Sequence, residues 1–296
     1  MKVELIADLK GHGAPIYDIQ LLNDILYSAS SDKMLASWST DTNEPHPFSV
    51  KAEAGIYCFD ISESRLQIGC SSGSLNVIDL VNKKELRNFK IHKKGVYLIH
   101  RITELDLLVT GGGDGVLNFF QHSSMELIRS MKVSTLKIRS AYYSSNEGQL
   151  YIGCGEGLIR IFELDYFNEV KSFKASEESV NVIVKHPTKP VIISSGKDGY
   201  IHFWKENIHT KIRSIAAHNM TIYALQFNPK GDKCVSVSRD KSVKVWDSET
   251  FDMVEKLERI GHKGHTHSVN SLAWINSSEF YTAGDDRIIK RWKILN

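Results

Sequence analysis

The stretch TIYALQFNPKGDKCVSVSRDKSVKVWD, Thr221–Asp247, holds three short strands and the two turns that join them. Thr221–Phe227 alternates apolar and polar residues with the period of two that a half-buried strand requires. Asn228-Pro229-Lys230-Gly231 is turn chemistry, because proline presets one backbone angle and glycine accepts a left-handed one. Lys233–Ser238 (KCVSVS) is the next strand, Arg239-Asp240-Lys241 a tight reversal, and Ser242–Asp247 (SVKVWD) the third strand. A fourth, more exposed strand follows at Met253–Leu257.

The same plan recurs along the chain. A strand-like hexamer ends in a large apolar residue at Trp38, Ile78, Phe120, Phe162, Trp204, Trp246 and Trp292, in steps of 40, 42, 42, 42, 42 and 46 residues. Six residues before each stands Asp32, Ser72, Asp114, Glu156, Asp198, Asp240 or Asp286, six acids out of seven. A period of this length with a turn-then-aromatic signature implies an array of four-stranded antiparallel units. One such sheet is too small to stand alone, whereas seven packed face to face around an axis bury their faces and leave only short edges. The expected repeats run over about 10–51, 52–91, 92–131, 134–174, 176–215, 218–257 and 265–296 plus 2–9, in one domain spanning 1–296. The chain ends on a third-type strand, IIKRWKI at Ile288–Ile294, and begins on a fourth-type strand, KVELIADL at Lys2–Leu9. The first strand is therefore expected to complete the last sheet, and deleting residues 1–9 to expose an unpaired edge.

Composition narrows the function classes. The 296 residues are 42% hydrophobic and 24% charged, ordinary values for a globular domain. A net charge of +2 argues against a dedicated nucleic-acid binder and leaves room for a local basic patch. The N-terminus is too short and too charged for a signal peptide, and no apolar run approaches 18 residues. Cys58, Cys70, Cys154 and Cys234 show no zinc-ligand spacing. Cys70 and Cys154 share a repeat position held elsewhere by Ser30, Gly112, Gly196, Ser238 and Gly284, a slot for small buried side chains. Reduced thiols and a cytoplasmic location are expected.

With Ala217-His218 standing for a Gly-His pair and Trp246-Asp247 as the dipeptide itself, the repeats resemble the WD-repeat family over the whole chain. The resemblance implies a seven-bladed β-propeller and, with no appended domain, is similar to the stand-alone WD-repeat proteins of bacteria. It also implies a buried polar set in each blade: a His before the first strand, a Ser or Thr in the second, the turn Asp and the Trp. Three blades carry it whole: His12, Ser28, Asp32 and Trp38; His218, Ser236, Asp240 and Trp246; His265, Thr282, Asp286 and Trp292. Blade 3 keeps His92, Thr110 and Asp114 with Phe120, and blade 5 keeps Ser194, Asp198 and Trp204 with Ser176 in the His position. Blades 2 and 4 have lost most of it, which suggests a stiff 6–7–1 sector and a more permissive 2–4 sector. Ser, His and Asp in one unit resemble a hydrolase triad, but their recurrence at matched offsets in several units indicates structure, since catalysis needs one copy.

In the family, partners bind the loop face around the central channel through three positions per blade. Two lie three and five residues after the His position, and the third immediately precedes the turn acid. The five-after position reads Tyr17, Tyr57, Tyr97, Arg139, Asn181, Tyr223 and Asn270. The pre-acid position reads Ser31, Ser71, Gly113, Gly155, Lys197, Arg239 and Asp285, and the three-after position Pro15, Gly55, Gly95, Lys137, Ser179, Thr221 and Ser268. Tyr17, Tyr57 and Tyr97 stand beside small residues, leaving their rings accessible, while blades 4–6 contribute Lys137, Arg139, Lys197 and Arg239 with Tyr223 among them; Asp285 is the one acid in these sets. Tyrosine beside arginine is hot-spot composition and suits a peptide with an aromatic or aliphatic anchor and acidic or phosphorylated residues. The seventh repeat adds a loop, Glu258–Gly264, followed by His265 and His267. His262, His265 and His267 lie close in sequence, but His265 belongs to the blade network and no Cys or acid at ligand spacing joins the others, so no metal and no cofactor are expected. A non-enzymatic scaffold for a protein or peptide, monomeric and away from membranes, is the leading expectation. A propeller enzyme lacks convergent acids and bases on this rim, and single-stranded RNA binding through tyrosine stacking lacks electrostatic drive.

Overall fold

The computed structural model describes residues 2–295. Among them the repeat folds into 28 strands in seven four-stranded sheets. Sheet 1 is β2 (Ile16–Leu22), β3 (Ile25–Ser30), β4 (Met34–Ser39) and β5 (Pro45–Lys51). Sheet 2 is β6 (Ile56–Ile61), β7 (Arg65–Cys70), β8 (Ser74–Asp79) and β9 (Lys84–Lys90). Sheet 3 is β10 (Val96–Ile102), β11 (Leu107–Gly112), β12 (Val116–Gln121) and β13 (Glu126–Lys132). Sheet 4 is β14 (Ile138–Ser144), β15 (Gln149–Cys154), β16 (Leu158–Glu163) and β17 (Glu169–Lys174). Sheet 5 is β18 (Val180–Lys185), β19 (Val191–Gly196), β20 (Tyr200–Lys205) and β21 (Lys211–Ala216). Sheet 6 is β22 (Ile222–Phe227), β23 (Lys233–Ser238), β24 (Val243–Asp247) and β25 (Met253–Leu257). Sheet 7 is β26 (Val269–Trp274), β27 (Glu279–Gly284) and β28 (Ile288–Leu295), completed by β1 (Lys2–Lys10).

The pairing of β1 with β28 sets Val3 against Ile294 and Leu9 against Ile289, and both β1 side chains are buried. The strand that opens the chain thus supplies the fourth strand its last repeat lacks. The fold is an all-β, seven-bladed β-propeller of four-stranded antiparallel blades. No described helix is long and apolar enough to cross a membrane, and the four cysteines are buried and free of disulfides.

The blades group into two compact units. One holds sheets 1, 6 and 7, from the chain up to Ile56, His186–Lys189 and the chain from Ala216 onward; the other holds sheets 2–5, from Tyr57–Lys185 and Pro190–Ile215. In the first, Trp38 packs with Ile16, Leu26 and Ile289, and Trp292 with Val245, Val269 and Phe280. In the second, Phe162 packs with Leu98, Phe119 and Ile152, and Trp204 with Ile159, Ile161 and Ile192. The second strand of each sheet is buried along almost its whole length, on both of its faces.

Two register slips recur. Between the first and second strands of sheets 1, 3, 4, 5, 6 and 7 the register shifts by one residue, at Tyr17, Tyr97, Arg139, Asn181, Tyr223 and Asn270 respectively. On the outer strands the slip falls at Ile6, Leu86, Ile128 and Val170, all exposed. A bulge bends and twists the strand that carries it, so the outer slips spoil each edge as a template for pairing with another chain.

Candidate interaction surface

The inner bulge is what aims the five-after side chain. A bulge re-aims the side chain of its extra residue relative to regular strand alternation. The other two rim positions are tied together by backbone. The N–H of Ser31, Gly113, Lys197, Arg239 and Asp285 donates to the carbonyl of Pro15, Gly95, Ser179, Thr221 and Ser268 respectively, at 2.8–3.0 Å. Within each of these blades the pre-acid and three-after residues are therefore neighbours.

In the unit of sheets 2–5 the rim residues form a connected group. The Tyr57 and Tyr97 rings stack with centroids 5.0 Å apart and planes 20° apart. The guanidinium carbon of Arg139 in β14 lies 4.8 Å, and Nζ of Lys137 just before that strand 5.9 Å, from the Tyr97 ring centre. Tyr97 is thus engaged both by Tyr57 of β6 and by Arg139 of β14. The rings are half-buried and lie over the backbone. A Cβ on Gly95 would stand 2.7 Å from the Tyr57 ring, and one on Gly113 would stand 2.9 Å from the Tyr97 ring. The small residues beside the tyrosines are seats for these rings, where the sequence alone suggested open space around them. Burial, then the Tyr57 hydroxyl, raises the Tyr97 phenol above its ordinary range, with Arg139 pulling the other way. Burial, then the charges of Arg139 and Lys197, holds the Lys137 ammonium below its ordinary range. Lys197 itself reaches Glu178, Nζ to Oε1 2.6 Å.

In the unit of sheets 1, 6 and 7, Tyr17 and Tyr223 are half-buried at their bulges and Arg239 is exposed. Asp285 accepts from Asn270 Nδ2 at 2.8 Å, and the same amide donates to the Ile16 carbonyl. The acid therefore orders the rim of its own blade.

Glu178 belongs to a rim position that the three-position rule omits, the residue just before the three-after one. It reads Ala14, Ala54, Lys94, Leu136, Glu178, Met220 and His267, and Leu136 and Met220 are exposed apolar side chains. Its changes of charge and size from repeat to repeat were the available signal.

Behind the rim, each turn acid is held by a chain of bonds. His12 Nδ1 meets Asp32 at 2.8 Å, its Nε2 meets Ser28 Oγ at 2.7 Å, and Trp38 Nε1 donates to Ser28 Oγ at 2.8 Å. His218 joins Asp240 and Ser236 at 3.0 and 2.7 Å, with Trp246 on Ser236. His265 joins Asp286 and Thr282 at 2.9 and 2.8 Å, with Trp292 on Thr282. With the imidazole proton on Nδ1 the chain runs from indole N–H to hydroxyl, from hydroxyl to Nε2, and from Nδ1–H to carboxylate, so every donor and acceptor is used. Burial alone would raise Asp240, but bonds from His218 and Ser242 outweigh it and hold the carboxyl far below the usual range. The hydroxyls of Ser28, Ser236 and Thr282 are fully buried, and each already accepts from an indole, so none of these three sets can present a nucleophile to a substrate.

Sheet 3 keeps His92 between Asp114 and Thr110, at 3.0 and 3.1 Å. Sheets 4 and 5 substitute a side chain from the third strand, four residues after the acid. Arg160 Nη2 approaches Glu156 at 3.6 Å beside Ser134, and His202 Nε2 meets Asp198 at 2.8 Å beside Ser176. The sequence reading had no role for Arg160 or His202. The three histidines of the seventh repeat go to separate partners: His262 to Glu255, His265 to Asp286, and His267 to Thr266. Among the described residues no group of three or more His, Cys, Asp or Glu could hold a metal ion. The Glu258–Gly264 loop is pinned at its base by the Gly264 N–H on the Glu258 carbonyl, and Ile260 at its tip is exposed.

Residues 167–205, 209–247 and 256–293 match the family model described as WD domain, G-beta repeat. No curated protein matches the chain. Propellers of this family generally serve as protein-interaction scaffolds and are typically non-enzymatic. With three repeats matched and one strand plan carried through seven blades, the chain is a WD-repeat β-propeller protein.

Proposed function

We propose that this protein is a non-enzymatic scaffold that binds a peptide or protein segment with an aromatic or acidic character at the loop face of its blades. The observation that carries the reading is the stacked Tyr57–Tyr97 pair with Arg139 on the Tyr97 ring, a pre-ordered aromatic and cationic contact. Rigid amphipathic rings beside a guanidinium lose little entropy on binding, which is why such groups dominate interface energetics. Because both neighbours of Tyr97 already engage its ring, inserting a nucleobase would require breaking that stack, and this favours a peptide over single-stranded RNA. The four free, buried thiols support a reducing, cytoplasmic setting, and the reading needs neither cofactor nor a second copy. Crosslinking capture from the native cells, comparing wild type with a Tyr57→Ala, Arg239→Glu double variant, tests it. Specific partners are expected to disappear from a variant that melts as a folded protein, and recovery of the same partners would refute the assignment of these residues.

A further inference from the structure

The turn acid of sheet 5 begins a chain of bonds that ends on an exposed hydroxyl. Asp198 Oδ2 meets His202 Nε2 at 2.8 Å, and His202 Nδ1 meets Ser214 Oγ, on β21, at 2.7 Å. The carboxylate also accepts from Ser176 Oγ at 2.8 Å and from the Tyr200 N–H at 3.1 Å. Burial alone would raise this carboxyl, and the bonds from His202 and Ser176 hold it below its ordinary range. Facing such an acceptor, a neutral imidazole carries its proton on Nε2 and leaves the Nδ1 lone pair to the serine hydroxyl. His202 is buried and Ser214 is exposed. That separates this set from those of Ser28, Ser236 and Thr282, whose hydroxyls are fully buried and accept from an indole. In sheet 5 the Trp204 indole donates to Ser194 instead, at 2.9 Å.

One blade alone carries this histidine. Four residues after the turn residue the other sheets place Ala36, Asn76, Asn118, Arg160, Lys244 and Lys290. Sheets 3 and 4 keep an exposed serine at the matching outer-strand position, Ser130 opposite Asn118 and Ser172 opposite Arg160. The serine therefore belongs to the repeat, and the histidine does not. A packing requirement of the blade would recur, as the buried histidine sets do, whereas a reactive centre needs one copy.

We propose that Ser214 is a nucleophile, with His202 as its base and Asp198 positioning the imidazole, and that it takes an acyl group from an activated ester. In the step, Ser214 Oγ bonds to the carbonyl carbon while its proton passes to His202 Nδ1, and Asp198 supports the imidazolium through Nε2–H. The bond from that carbon to the leaving oxygen then breaks. The leaving group departs with the electron pair and receives the proton from Nδ1. The products are an acylated Ser214 and a free alcohol or phenol, with no change of oxidation state. The Tyr200 ring lies parallel to the imidazole, centroids 5.9 Å and planes 11° apart, and is itself exposed. An aromatic face beside the base suits an aryl leaving group. The step is independent of partner binding at the loop face.

Para-nitrophenyl acetate is the probe, with peptide mapping by mass spectrometry to read the acetylation rate of each serine within one molecule. Ser214 is expected to react about 100-fold faster than Ser130 and Ser172, the low end of what a positioned base contributes. His202→Ala is expected to bring Ser214 down to their level, and His202→Gln, which keeps a polar side chain but no base, to do the same. Asp198→Asn is expected to slow Ser214 at least about tenfold, because an amide facing Nε2 favours the tautomer with its proton on Nδ1. The rates at Ser130 and Ser172 are expected to stay unchanged in each variant, which separates loss of the base from loss of the fold. A Ser214 rate equal to those of Ser130 and Ser172 in the wild-type protein overturns the proposal, as does an elevated rate that survives His202→Gln. An elevated rate that Asp198→Asn leaves unchanged overturns the positioning role.

Discussion

In sheets 1, 6 and 7 the turn acid takes its partner from the loop ahead of the first strand, whereas in sheets 4 and 5 it takes a partner from the third strand, four residues on. The first group uses His12, His218 and His265; the second uses Arg160 and His202. The residue after the acid differs in step, being Lys33, Lys241 and Arg287 in the first group and Gly73, Gly115, Gly157 and Gly199 in sheets 2–5, all left-handed. Sheet 2 goes furthest. Ser72 replaces the acid and Ala52 fills the histidine position, so with no charge to satisfy the chain of donors is gone as well. The comparison teaches that the fold maintains a satisfied turn, and that the histidine–hydroxyl–indole chain is one way to satisfy it. Once a buried carboxylate is present it must be paired, and the partner can come from whichever element reaches it.

The strongest way to break that distinction is to remove the acid from each group. Asp286 has a side chain 3% exposed, and its loss strands His265 Nδ1 and the Thr266 N–H. Asp286→Ala is expected to cost about 3 kcal/mol. Glu156 is 24% exposed, and Arg160 retains Glu169 at 2.8 Å when it goes. Glu156→Ala is expected to cost about 1 kcal/mol or less. Urea unfolding of both variants reads the difference directly, and equal losses would show that the two arrangements are energetically alike.

The turn residue gives a smaller contrast. An ideal Cβ on Gly157 would lie 2.0 Å from the Ser176 carbonyl oxygen, at a φ of +86°. Gly157→Ala should therefore cost at least about 2 kcal/mol, combining a left-handed alanine with a backbone clash. Lys241 already sits at a φ of 73° with a side chain in place. Lys241→Gly relieves that strain while loosening the unfolded chain, and is expected to fall within about 1 kcal/mol of wild type. Thermal melts of the two variants check the pair, and an equally tolerated Gly157→Ala would mean that the crossing loop can move aside.

The parts legible in the sequence are those that depend on spacing. Strand order, the turn acids and the completion of the last sheet by Lys2–Leu9 follow from the repeat, because each unit must bury the same faces. The three matched repeats end near Trp204, Trp246 and Trp292, while Ile78, Phe120 and Phe162 lie outside them. Contacts between neighbouring blades were not legible, since nothing in one repeat fixes the rotamer of the next. The seating of Tyr57 over Gly95 and the Glu178 bridge to Lys197 are of this kind. So is Asp60 on Arg101, 2.9 Å apart, where burial outweighs the guanidinium and leaves the carboxyl above its usual range. The bulges were missed for another reason. A one-residue slip leaves the apolar alternation on either side intact, so Tyr17 or Arg139 looks in sequence like any other strand residue.

Acidification offers the finest test of the comparison. Four histidines in the unit of sheets 2–5, His92, His100, His122 and His209, are held below the ordinary imidazole range, with burial the largest cause in each. In the unit of sheets 1, 6 and 7, His218 is held down in the same way. A depressed imidazole binds fewer protons folded than unfolded. Its contribution is therefore complete above an unfolded pKa of about 6.5 and declines as pH falls toward the folded value. The turn acids Asp32, Asp114, Asp198, Asp240 and Asp286 are all depressed too. By the same linkage their contribution stands until the pH approaches an unfolded value of about 4. Between about pH 7.5 and about pH 5.5 the histidines alone should act, by at most about 1 kcal/mol each. Amide exchange corrected for intrinsic rate should then lose more protection in Val96–Gln121 than in Val269–Leu295. The higher-pH measurement asks separately whether sheets 6, 7 and 1 open less readily than sheets 2–4. A parallel loss in both segments would mean that the depressed histidines of sheets 2–5 do not govern its acid response, and that burial of an imidazole matters less here than the hydrogen bonds around it.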